Sequence, residues 1–289
     1  LQQIKRPQLK TPLSLDRFTL DLIAAKAFQC NYFMINTMKA IYALTDILTL
    51  ALKAGLLAHQ SGAGTHRTSL IIQRTAKALG AVQVEVIISS TNIGATIERG
   101  HERETGFKKA PHMGVNFSLL TSLDDWLLAL DKDQLNADDA QLALDQIAQA
   151  KGHYPRSVVT LFVGLSCGAF AALFGGDTAA ILMTTLGASL GMAVRFQLVL
   201  QHFKPFVFAS VASFVALLCT GLLRDFTSTP DTAMAASVLF LIPGVPLING
   251  ASDLLNANYL NGIVRFTMSA VIILGIAIGI SLALRILGI

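Results

Sequence analysis

In the apolar C-terminal half of the chain, the segment Pro243-Gly244-Val245-Pro246-Leu247-Ile248-Asn249-Gly250 gathers residues that interrupt a helix. Each proline lacks a backbone N–H and its ring clashes with the preceding turn. In lipid, backbone groups freed in this way must be buried in protein or face a water-filled cavity. Broken helices at membrane depth build substrate sites because half-helix ends present N–H or C=O groups with no intrahelical partner. Pro243, Gly244, Pro246 and Asn249 are therefore read as substrate-binding positions, weighed against a plain structural kink or the end of a span. Asp253 follows the segment, and Arg195 and Arg265 stand near the ends of other apolar stretches. Ionisable groups in such places are costly to bury and mark function unless they snorkel to water or to lipid phosphate. For Asp253 the simpler role is to cap the short segment after it. Two guanidinium forks converging on Asn249 and Asp253 would suit a carboxylate-bearing ligand.

Other groupings carry less chemistry. His59, His66, His101 and His112 lie near Glu98, Glu102 and Glu104, but His101-Glu102-Arg103-Glu104 lacks the second histidine that a zinc-protease helix requires. There is no phosphate-binding P-loop, so an ATP-driven pump is not read, and no cofactor or metal is expected. Cys167 and Cys219 fall in apolar stretches and Cys30 stands apart, which does not make a disulfide framework.

The elements that must position these residues divide by charge. Residues 1–154 hold 16 of the 22 Lys and Arg and 14 of the 18 Asp and Glu, so the remaining half is nearly free of charge. The net charge is +2 in each half, which gives no concentrated basic patch and no nucleic-acid partner. Five stretches are long and apolar enough to span a bilayer: residues 158–174, 178–199, 205–223, 233–249 and 262–287. Arg156, Arg195, Lys204 and Arg265 fall at one set of span ends, and Arg224 and Arg285 at the other, which places the N-terminal half in the cytoplasm and Ile289 outside. No cleavable signal peptide is read over residues 1–12. Gly164, Gly168 and Ala172, and Gly187 with Gly191, form small-residue faces suited to close helix contact.

In the N-terminal half, Ile41, Leu44, Ile47, Leu48, Ala51 and Leu52 recur at helical spacing. Gly62-Ala63-Gly64-Thr65 breaks that run, and Thr65 or Thr68 is expected to cap a helix whose Ile71, Ile72, Ala76 and Leu79 share a face before Gly80 ends it. Val82, Val84, Val86 and Ile88 then alternate with polar residues and predict a hairpin with residues 93–98. A further strand is expected over 112–117, a helix capped by Ser122 with Asp125, and a second capped by Asn136. The expected architecture is an N-terminal helical extension (1–50), a small α+β cytoplasmic domain (51–154) and an α-helical membrane domain of about five transmembrane helices (155–289).

Several of these segments resemble the bacterial threonine/serine exporter family. They are Gly62-Ala63-Gly64-Thr65-His66-Arg67, Ala78-Leu79-Gly80, Val84-Glu85-Val86, Tyr154-Pro155, Leu241-Ile242-Pro243-Gly244-Val245-Pro246-Leu247-Ile248-Asn249-Gly250 and Asn261-Gly262-Ile263-Val264-Arg265. Val163-Gly164-Leu165-Ser166-Cys167 and the stretch Thr232 to Leu239 are similar to the larger subunit of the family's split, two-component branch, which is associated with succinate export. The resemblance covers about residues 50–289. It implies an exporter subunit in the bacterial inner membrane, a small carboxylate as substrate with threonine or serine as the alternative, and a smaller membrane subunit as partner in an oligomer set in membrane lipid. Thr68 and Ser69 stand where family members often carry an acidic residue, so a charge-dependent role of that helix does not carry over. Two other classes remain open: a membrane-tethered enzyme with a catalytic cytoplasmic domain, and a non-transporting scaffold.

Overall fold

The computed structural model describes residues 42–111, 114–132, 134–150 and 154–289. The part of the helical extension expected before residue 42 lies outside the described residues, as do His112 and Met113.

The N-terminal region is built on the apolar stripe read above. Helix α1 (Leu44–Gln60) buries Leu44, Ile47, Leu48, Ala51 and Leu52 and runs continuously through residues 50 and 51. Ser61 and Gly62 turn the chain, Gly62 with φ +93°, and helix α2 (Thr65–Ala78) starts with Gly64 as its N-cap. Thr68 donates its hydroxyl to the Gly64 carbonyl rather than capping the helix. Ile71, Ile72, Ala76 and Leu79 are buried, as their spacing predicts, and Gly80 leaves the helix at φ +105°.

Strands β1 (Gln83–Ile88), β2 (Asn92–Arg99) and β3 (Glu102–Lys109) form an antiparallel sheet in that order, Val86 facing Ala95 and Ala95 facing Gly106. One face packs beneath α1 and α2, and Gly106 lets the chain approach Leu48 and Leu52. The expected hairpin is present. The third strand is Glu102–Lys109 rather than 112–117; residues 114 and 115 are irregular and Phe117 opens the next helix.

Helix α3 (Phe117–Asp131) begins six residues earlier than expected because Asn116, not Ser122, is its cap and accepts from the Leu119 amide. Helix α4 (Ala137–Gln149) is capped by Asn136 as expected, its side chain accepting from the Asp139 amide at 2.8 Å. Trp126 is buried between these helices and donates its indole N–H to the Ala140 carbonyl.

Among the described residues, four unbroken helices are long and apolar enough to cross a membrane: α5 (Arg156–Leu173), α6 (Thr178–Leu200), α7 (Pro205–Leu222) and α10 (Tyr259–Leu287). The expected span over 233–249 is interrupted, as its prolines predict, and consists of two pieces. Helix α8 (Pro230–Ser237), continued by a 3-10 turn Leu239–Leu241, meets α9 (Gly244–Leu255) at a bend of 64°. Pro243 disfavours helical backbone at Ile242, which is extended at ψ 126°, so the first piece cannot continue. Pro246 sits in the first turn of α9, where its missing N–H costs no helical bond.

The bent pair runs from one end of the bundle to the other. At its start, the Thr229 hydroxyl accepts from the Asp177 amide in the α5–α6 connection; at its end, α9 packs on the N-terminal region. Close packing follows the small residues. A methyl on Gly164 would lie 2.6 Å from the Thr185 carbonyl oxygen, and one on Gly187 would lie 2.8 Å from that of Ala216. Helix α10 spans about 43 Å at 1.5 Å per residue. Asn261 at its start contacts strand β1, and Leu287 at its other end lies beside Arg224. The N-terminal region and Ile289 thus stand at opposite ends of the bundle.

Candidate functional site

Beyond the bend, α9 and the first turns of α10 face the Ser61–Thr65 turn of the N-terminal region. Asn249, on the second turn of α9, donates from Nδ2 to the Gly62 carbonyl at 2.9 Å. One turn later Asp253 is buried, 2% exposed, with Oδ2 3.2 Å from Nε of Arg265. The same oxygen accepts the Thr65 hydroxyl at 3.1 Å. Thr65 is the first residue of α2, whose N-cap glycine brings no side-chain acceptor, so a carboxylate from another helix stands at the positive end of the α2 dipole. Arg265 turns Nη2 toward the Ala63 carbonyl at 3.5 Å, and Asn261 donates to the Ile88 carbonyl at the end of β1 at 2.9 Å. Gly262 lets α9 and α10 come close, since a methyl there would meet Leu254 and the Gly250 carbonyl.

Two hollows flank the Asn249–Gly62 hydrogen bond. An inner one of about 40 Å³ is lined by His59, Ala63, Pro246, Arg265 and Met268. By volume it holds on the order of one to three waters. An outer one of about 360 Å³ is lined by the Gly62–Arg67 turn, Phe117, Ile248 and Ser252. That is at the small end of ligand-sized pockets, roughly 300–1,000 Å³. Gly62, Ala63, Val245 and Asn249 line both. Among the described residues Arg265 Nη1 has no hydrogen-bond partner, so one edge of the guanidinium is uncommitted while Asp253 fixes the other.

Of the positions read from the sequence, Pro243 makes the bend, Gly244 opens α9 with open space where a Cβ would stand, and Pro246, Asn249 and Arg265 line the inner hollow. Asp253 does not cap a following segment; it lies inside α9 and pairs with Arg265. Nor does Arg265 snorkel, because its side chain is 13% exposed and ion-paired. Arg195 does not join this cluster. Its guanidinium lies 5.4 Å from the Phe208 ring centroid, with Nη1 3.6 Å from Met192 Sδ. The expected convergence of two guanidinium groups is therefore not present. Sequence reading took Gly62-Ala63-Gly64-Thr65 as a break between helices and overlooked it as the surface that meets α9. The local signal of that turn is a run of small residues before a helix start, whereas Asn261, inside α10, enters the sequence reading only as part of a segment that resembles the exporter family.

A second polar cluster lies at the opposite end. Asp177 caps α6 through the Ala180 amide and also accepts from the Thr227 hydroxyl and from the amide and hydroxyl of Ser228. These donors hold its carboxyl well below the usual carboxylate range, the Ala180 bond contributing most. Every donor comes from the chain itself, which makes this a fastener between two connections rather than a vacant site.

The family model described as "Putative threonine/serine exporter" matches residues 49–287. "Probable succinate transporter subunit YjjP" of Escherichia coli (strain K12) is 31% identical over 245 residues, covering 84% of this chain and 95% of that protein. The protein of the same name from Klebsiella aerogenes is 30% identical, covering 84% and 94%. A "Probable threonine/serine exporter" of Mycobacterium tuberculosis (strain H37Rv) is 22% identical over 83% of this chain but only 46% of its own length. No solved structure matches the chain. With the family model spanning both the Ser61–Thr65 turn and the bent helix pair, the chain belongs to the threonine/serine exporter family.

Proposed function

We propose that this chain is one subunit of a secondary exporter of the bacterial inner membrane that moves a small carboxylate. Succinate is the first candidate, and threonine or serine the second. The observation that carries the reading is the bent span, with Asn249 and the half-committed Arg265 around a hollow at its elbow. A substrate carboxylate approaching Nη1 gains a charge-assisted hydrogen bond from a guanidinium already oriented by Asp253. The break sets half-helix ends beside the hollow, the construction by which discontinuous helices hold substrate. The N-terminal region faces the cytoplasm, following the distribution of Arg156, Arg195, Lys204 and Arg265.

The succinate choice leans on the relatives from Escherichia coli and Klebsiella aerogenes, and the alternative on the Mycobacterium tuberculosis protein. A smaller membrane subunit completes the pathway. The two enteric relatives are named as subunits, and the match to the longer exporter accounts for less than half of it. Helix α5 is buried over only 22% of its length within the chain, which leaves surface for that partner and for lipid. No cofactor is needed, since an ion or substrate gradient would supply the energy.

Succinate binding tests the site. With the partner subunit present, succinate should raise the thermal midpoint of the complex, and Arg265→Lys, which keeps the charge but loses the planar fork, should abolish most of that shift. An unchanged shift in Arg265→Lys would remove Arg265 from substrate recognition.

A further inference from the structure

We infer that the Ser61–Thr65 turn of the N-terminal region is the gate of the bent-helix hollow, with Asn249–Gly62 as its latch. The exporter reading supplies only what passes through this gate; the gate itself stands on geometry. The inner hollow is too small for a dicarboxylate, whereas the outer one is of ligand size, and the residues shared by both are Gly62 and Ala63 on one side and Val245 and Asn249 on the other. What separates them is therefore this turn meeting α9.

The contact is polar and narrow. Asn249 holds the Gly62 carbonyl, Thr65 holds Asp253, and Arg265 faces the Ala63 carbonyl. A few hydrogen bonds between two elements can open and re-form without disturbing an apolar core, and each contributes little net free energy because water replaces the lost partner. Ala63 ties the turn into the core of the N-terminal region with Ile47, Ile71 and Ile93, so the turn and that core move as one body against α9. The turn is also shaped for close approach. Gly62 adopts φ +93°, which side-chain-bearing residues rarely take, and at Gly64 a Cβ would lie 3.4 Å from Asn249 Oδ1. The hinge of such a gate is the β1 end, where Asn261 ties Ile88 to α10 and keeps the region attached while the turn lifts.

The test uses the full chain in nanodiscs, with Cys30, Cys167 and Cys219 replaced by alanine and Met268→Cys as reporter in the inner hollow. The probe is a small cationic methanethiosulfonate, which reacts with thiols that meet water. Asn249→Ala should speed labelling about three- to tenfold, the shift expected from losing one such hydrogen bond. Asn256→Ala, which removes an amide bonded only to Ser252 within the same helix, should leave the rate unchanged. An unchanged rate in Asn249→Ala, or an equal rise in Asn256→Ala, would overturn the gate. As a second arm, in proteoliposomes that hold this chain with its partner subunit, oxidation of a Gly64→Cys/Asn249→Cys pair should lock the turn, read as a disulfide on gels and as loss of the flux that the reduced pair retains, restored by reductant. Flux persisting through a locked turn would also overturn it. If Asn249→Ala labels faster but neither variant nor parent, with the partner subunit, carries succinate, threonine or serine, the gate stands and the exporter reading falls.

Discussion

Removing the carboxylate of Asp253 should cost more than removing any exposed charge in the chain, and the cost should vanish in large part once Arg265 is removed as well. Asp253 is 2% exposed and the Arg265 side chain 13%, with 3.2 Å between Oδ2 and Nε. A guanidinium left in such a place without its partner is destabilising by roughly 3–5 kcal/mol, because the desolvation cost stays while the attraction goes. Asp253→Asn keeps an acceptor for the Thr65 hydroxyl and should fall near the lower figure; Asp253→Ala also strands that hydroxyl and adds about 1 kcal/mol. Arg265→Met should be at least as costly as Asp253→Asn, since Asp253 is the more deeply buried of the two. In the double variant no charge remains to be satisfied, so its cost should fall short of the sum of the single costs by about 2 kcal/mol or more. Equilibrium unfolding in mixed micelles, followed by circular dichroism, measures all four proteins. Costs that add to within about 0.5 kcal/mol would mean that the two groups do not act as a pair.

Acid should act at the other end of the bundle. The Asp177 carboxyl is held below its ordinary range in the folded chain, so its stabilising contribution is complete above the unfolded value and is lost as pH falls through the folded one. Asp177→Asn should therefore lower thermal stability at pH 7, with the difference from the parent shrinking below about pH 4; a difference that stays constant to pH 2 would contradict the assignment. Reporter fusions should place residue 42 and Ile289 on opposite faces of the membrane, because the bent pair runs from Thr229 at one end to Asp253 at the other. Both ends on one face would make the pair a re-entrant loop.

What could be read in advance divides by range. The α1 stripe from Leu44 to Leu52, the Val84–Ile88 alternation and the Asn136 cap are local patterns, and each appears in the structure where the pattern stood. Pro243 and Pro246 announced an interruption because proline acts on its own turn. Strand β3 was missed because Glu102–Lys109 is mostly charged, and the residues turned toward α1 include Gly106 and Lys108, which do not register as apolar. Ser122 with Asp125 imitated a capping box, while the operative cap, Asn116, lies in a stretch that reads as a strand. The site itself was only half legible. Asp253 and Arg265 were singled out for being charged in an apolar half, but nothing local tells Arg265, which is ion-paired, from Arg195, which lies beside an aromatic ring. Thr65 and Asp253 are 188 residues apart, so their meeting depends on the N-terminal region docking on α9. The bundle taken alone would leave Asn249 and Asp253 uncovered; the chain's own N-terminal region covers them.

Radiolabelled efflux from proteoliposomes tests the central claim most directly, with this chain reconstituted alone, with its smaller partner subunit, and with the partner and Asn249→Leu. The account predicts saturable succinate efflux from the paired subunits, little from the chain alone, and a marked reduction in Asn249→Leu, which loses the amide while nearly keeping the volume. Saturable succinate flux from the chain alone as a demonstrated monomer, or no flux of succinate, threonine or serine from the pair, would contradict it.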